Sequence, residues 1–93
     1  MSSIYQPNQE QETDLLEQVD IEKKIIIHND DINTFEWVIE TLVEVCKHNK
    51  PQAEQCAYII HYKGKYAVKH GSYNTLKPMK DQITDRGIDA TIE

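Results

Sequence analysis

Three consecutive β-branched residues, Ile25-Ile26-Ile27, run straight into His28-Asn29-Asp30-Asp31, and an apolar helical stripe begins at Phe35. The isoleucine run is too short for a helix and suits a buried strand. Asn29, Asp30 and Asp31 favour a turn, because their short side chains bond nearby backbone groups. Beyond it Phe35, Val38, Ile39, Leu42, Val43 and Cys46 recur at i, i+3, i+4, i+7, i+8 and i+11, one stripe along a helix. Asn33 is placed to cap that helix, and Glu36 three residues on completes a capping-box pattern. The helix should fade near His48-Asn49.

The remaining chain alternates in the same manner. Asn49 caps a second helix, with Pro51 in the first turn where its missing N–H costs little. Ala53, Cys56, Ala57 and Ile60 form its apolar face, and Gly64 stops it. Lys65 to Lys69 alternates around Tyr66 and Val68 as a half-exposed strand, broken at Gly71-Ser72. A short turn over Tyr73–Leu76 is expected next, then a regular helix from Lys77 with Pro78 near its start. Met79 and Ile83 would face inward, and Arg86-Gly87 would end it. The last six residues alternate Ile88, Ala90 and Ile92 with Asp89, Thr91 and Glu93. The order β-α-α-β-α-β predicts an α+β fold, a two-layer sandwich of three helices on a three-stranded antiparallel sheet.

A chain of 93 residues leaves room for one such domain. Residues 1–22 carry six acids and no base, whereas the ten acids of residues 23–93 meet ten bases, so the first segment accounts for the net charge of −6. Its Gln, Glu, Ser and Asp cannot bury enough apolar surface to offset ordering entropy, so it reads as a flexible acidic N-terminal arm ahead of a folded body, residues 23–93. With nine lysines, one arginine and this acidic balance, the chain does not suit nucleic acid. No apolar run is long enough for a membrane span. Met1 to Leu15 lacks the basic residues and apolar stretch of a signal peptide. Cys46 and Cys56 show no metal-like spacing and fall on inward helix faces, as buried thiols in a reducing cytoplasm would.

The polar corner His28-Asn29-Asp30-Asp31 and His61 at the end of the second helix hold whatever chemistry the chain has. An Asn-Asp turn is ordinarily only a turn, and a lone histidine is ordinarily packed or capping. Asp30 or Asp31 with His61 would make an acid–base pair, and His28, Asp30 and His61 would make a metal set, but neither has a diagnostic spacing. The chain also lacks GxSxG, HExxH and any glycine-rich phosphate loop.

Ile27-His28-Asn29-Asp30-Asp31, Phe35-Glu36-Trp37-Val38-Ile39, Gln52-Ala53-Glu54-Gln55, His61-Tyr62-Lys63-Gly64-Lys65 and the closing Gly87–Glu93 stretch together resemble the ClpS family, from about Lys24 to Glu93. ClpS proteins are adaptors, not enzymes, that hand N-degron substrates to a Clp unfoldase–protease. The resemblance implies recognition of a free N-terminus whose first side chain is Leu, Phe, Tyr or Trp. Asn29, Asp31 and His61 would hold the α-ammonium, whose three donors match an amide oxygen, a carboxylate and a neutral imidazole nitrogen. The resemblance further implies a side-chain pocket of Ile32, Thr34, Phe35, Val38, Ala57 and Ile88. It implies no cofactor or metal, and a partner in the N-terminal domain of a ClpA-like or ClpC-like AAA+ ATPase, engaged with help from the arm. The chain departs from the family pattern at Phe35, where many members carry a methionine gate, and at Ala57, where several carry a larger residue. The alternative is a protein-interaction domain that regulates the Clp unfoldase without reading N-terminal residues.

Overall fold

A computed structural model describes residues 21–93, and the arm expected over residues 1–22 lies almost wholly outside them. The elements are β1 (Lys23–His28), α1 (Phe35–Cys46), α2 (Lys50–Lys63), β2 (Lys65–Gly71), α3 (Tyr73–Asp85) and β3 (Ala90–Ile92). Three helices cover a three-stranded antiparallel sheet of order β2-β1-β3, as the pattern predicts. β1 takes the centre because its three isoleucines are all buried; a fully buried isoleucine contributes about 1.5–3 kcal/mol. Ile27 pairs with Tyr66 on one side and Ala90 on the other, and a bulge between Ile25 and Ile26 shifts the β2 register. On β2, Val68 is buried while Tyr66, expected on the same face, stays open.

Ile25, Ile27, Leu42, Cys46, Ala53, Ile60, Leu76, Ile83, Ile88 and Ala90 share one core. Both cysteines are free and buried within it, and burial pushes the Cys46 thiol up to about 11. Trp37 is fastened to the end of α3 by an Nε1–H···O bond of 3.0 Å to Arg86, whose guanidinium lies 5.4 Å over the indole and 2.8 Å from Glu44. Asn49 and Gly64 terminate α2 as expected: Asn49 accepts from Gln52 N–H at 2.8 Å, and Gly64 turns the chain at φ 90°.

Three local expectations are corrected. Thr34, not Asn33, caps α1, accepting from Trp37 N–H at 3.1 Å. The buried face of α1 is Thr41, Leu42, Val45 and Cys46, rotated from the predicted stripe so that Phe35 stands at its edge. Finally, α3 is one continuous helix from its Ser72 cap through Pro78. Pro78 faces solvent and is carried by Leu76 and Ile83, which are buried before and after it. No helix among the described residues is long and apolar enough to cross a membrane.

Candidate functional site

The corner after β1 is built by Asp30. Its Oδ1 accepts from Ile32 N–H and Asn33 N–H, each at 2.9 Å, and its Oδ2 accepts from Asn33 Nδ2 at 2.9 Å. These donors hold the Asp30 carboxyl below its ordinary range, led by the Asn33 backbone bond against a desolvation that opposes it. Asn33 reaches on to Gly87 O at 3.0 Å, tying the turn to the loop before β3. On the other side Asn29 N–H donates to Gly64 O at 2.8 Å, which clips the turn to the end of α2, three residues past His61. Short-range turn chemistry thus brings segments far apart in sequence into one place.

Between the turn, the start of α1 and the end of α2 lies a pocket of about 400 Å³, lined by Asn29, Asp30, Asp31, Asn33, Phe35, Val38, Ala57, Ile60 and His61. Its polar side is the turn with His61, and its apolar side is α1 against α2. Among the described residues the side chains of Asn29, Asp31 and His61 have no hydrogen-bond partner, whereas Asp30 is fully engaged in the turn. The His61 ring is held edge-on by Phe35, with centroids 5.4 Å apart and planes at 89°, and by Tyr62 at 5.5 Å. Two carboxylates on a short turn make the mouth electronegative, suited to a cation with several donors.

Of the nine residues carried over from the family resemblance, six meet here: Asn29, Asp31, His61, Phe35, Val38 and Ala57. Three do not line the pocket. Ile32 is 87% exposed at the outside of the turn, Thr34 is spent on the α1 cap, and Ile88 is 2% exposed within the core. Sequence reasoning missed Asn33 and Ile60 as lining residues. Ile60 precedes His61 on the α2 apolar face, so its spacing from Ala57 was the available signal. The metal set does not assemble: His28 Nε2 sits 2.9 Å from Thr91 Oγ1 on β3, and no metal-holding group of His, Cys, Asp and Glu occurs among the described residues.

The family model for the ATP-dependent Clp protease adaptor protein ClpS matches residues 18–91. The chain belongs to the ClpS family. Members of this family are protease adaptors rather than catalysts. A solved structure of Agrobacterium tumefaciens ClpS2 bound to L-phenylalaninamide superposes with a TM-score of 0.74 at 20% identity, covering 77% of this chain and 94% of that one. At that identity the likeness establishes the shared ClpS fold. No curated protein matches the chain.

Proposed function

We propose that this ClpS-family protein binds polypeptides through a free N-terminal bulky hydrophobic residue (Leu, Phe, Tyr or Trp) and delivers them to a cytoplasmic Clp-type AAA+ unfoldase–protease. The observation that carries the reading is the pairing of acceptors unengaged among the described residues with an apolar slot. Asn29, Asp31 and His61 take the α-ammonium, with Asp31 as countercharge. Phe35, Val38, Ala57 and Ile60 take the side chain. The ClpS2 relative holds L-phenylalaninamide, which presents an amine beside an aromatic side chain. No residue here is asked to move a proton or attack a bond, so the activity is capture, not turnover.

Phe35 lines the pocket and is 37% exposed, which supports a role for it at the mouth. A planar ring there restricts branching at Cβ, and one misplaced methyl group changes selectivity by about 1–3 kcal/mol. Residues 23–93 are proposed as the binding body, residues 1–22 as the arm that helps engage the N-terminal domain of a ClpA-like or ClpC-like ATPase.

Fluorescence anisotropy with labelled peptides beginning Leu, Phe, Val or acetyl-Leu tests the reading. Leu and Phe peptides are expected to bind well, Val poorly, and acetyl-Leu at least about tenfold more weakly than Leu, since acetylation removes the charge and two donors. Equal affinity for free and acetylated peptides would favour a regulator of the unfoldase that ignores N-termini.

A further inference from the structure

The core grips only half of α1. Thr41, Leu42, Val45 and Cys46 are buried, whereas Phe35 to Glu40, the half that walls the pocket, is half-buried at most. The Thr34 cap orders the backbone of that first turn but does not fix where the turn stands. Two consecutive carbonyls of the loop between α3 and β3 do. Arg86 O accepts from Trp37 Nε1–H and Gly87 O accepts from Asn33 Nδ2–H, each at 3.0 Å. The backbone turns between them and β3 at Gly87, whose φ of 86° is a left-handed value that glycine adopts without strain. The Arg86 side chain then follows one stripe of α1, at i, i+4 and i+7. Its Cζ lies 5.4 Å over the Trp37 ring, Nη1 3.4 Å from Thr41 Oγ1 and Nη2 2.8 Å from Glu44 Oε1.

Trp37, Arg86 and Gly87 do not line the pocket. At about 100° per residue, Trp37 lies roughly 130° around the helix from the direction shared by Phe35 and Val38. The clasp therefore holds α1 from behind, while Phe35 and Val38 line the slot with Ala57, Ile60 and His61 of α2. The separation of these two walls is the width of the slot. Rejecting one misplaced methyl group requires walls held to within about 0.5 Å, and a helix end that the core does not grip needs another anchor for that.

We infer that Trp37, clasped by Arg86 and Gly87, is a positioning residue that sets the width of the side-chain slot and through it the choice among first residues. The inference rests on the proposed reading of the pocket, and it adds determinants of specificity that never touch the ligand.

Anisotropy on the full chain tests it with peptides beginning Leu, Val or acetyl-Leu. Trp37→Phe removes the N–H and keeps an aromatic ring. Gly87→Ala adds a Cβ that meets no neighbouring atom, so it acts through the backbone alone. Val68→Ala, at a buried position on β2 outside both pocket and clasp, supplies a loss of stability for comparison. Melting curves establish that each variant is folded at the temperature of measurement. Wild-type protein should prefer Leu over Val at least about tenfold. In Trp37→Phe and in Gly87→Ala that ratio is expected to fall to about threefold or less, because a loosened wall binds Leu less well and accommodates Val better. Val68→Ala should stay within about twofold of the wild-type ratio. Should one clasp variant fail to fold, the other decides by the same criterion. A ratio unchanged in the folded clasp variants overturns the inference, as does an equal fall in Val68→Ala, which would assign the loss to stability alone. A wild type that rejects acetyl-Leu but binds Leu and Val alike defeats the clasp and leaves the pocket standing. Equal binding of Leu and acetyl-Leu defeats the pocket reading beneath it.

Discussion

Asp30 and Asp31 are adjacent in sequence and opposite in circumstance. Asp30 spends both oxygens on Ile32 and Asn33, so its charge organises the turn; Asp31 has no such partner among the described residues and faces the pocket. Asp31→Ala or Asn29→Ala is therefore expected to leave the melting temperature nearly unchanged and to weaken a Leu-starting peptide about 10- to 150-fold, the worth of a hydrogen bond to a charged group at roughly 1.5–3 kcal/mol. Asp30→Ala should instead lower stability, by about 1–2 kcal/mol. Because the folded state holds the Asp30 carboxyl below its ordinary range, the stability it contributes is complete above about pH 4 and is lost as pH falls through the folded value. Urea denaturation should show the gap between wild type and Asp30→Ala narrowing from about pH 7 to about pH 3; a constant gap would remove the carboxylate from the account. His61 offers the amine a third acceptor, so His61→Ala is expected to weaken a Leu-starting peptide severalfold, and unchanged affinity in that variant would exclude His61 from the amine site.

Within the elements, Thr34 separates holding the fold from holding the ligand. It was expected in the pocket, yet its hydroxyl accepts from Trp37 N–H at the start of α1. Thr34→Ala should cost about 1 kcal/mol, some 4–8 °C in melting temperature for a domain this small, with Thr34→Ser restoring it. Peptide affinity should stay within about twofold; a larger loss would return Thr34 to the binding surface. The same residue shows where the sequence stopped being informative. Asn33 and Thr34 are both good caps, and local propensity cannot rank them; the decision came from Asp30 and Gly87, which engage the Asn33 amide. Long-range contact likewise governs α3, where burial of Leu76 and Ile83 carries the helix through Pro78 against the local preference for a break. The strands, the helix order and the α2 boundaries were legible because Ile25–Ile27, Asn49, Pro51 and Gly64 act within a few residues of themselves. Helix spacing read Val38 and Ala57 only as inward positions; their place in the pocket lining was implied by the family resemblance, which also implied Ile32 and Ile88, the one exposed on the turn and the other in the core.

At the scale of the whole molecule, charge and binding reside in different parts of the chain. Residues 1–22 supply six acids and no base, while the proposed ligands Asn29, Asp31 and His61 all lie in the body that follows. The pocket is assembled by bonds internal to that body, from Asn33 to Gly87 and from Asn29 to Gly64. A protein beginning at Ile21 should therefore fold normally and bind a Leu-starting peptide within about twofold of the full chain, a difference under about 0.5 kcal/mol. An acidic, apolar-poor segment suits contact with a partner's surface or pore, so the truncated protein should fail to accelerate degradation of an N-degron substrate by the cognate Clp protease. Measured side by side, anisotropy and degradation rate separate the two roles. Undiminished delivery by the truncated chain would reduce the arm to a leader without function, and lost peptide binding would make it part of the site.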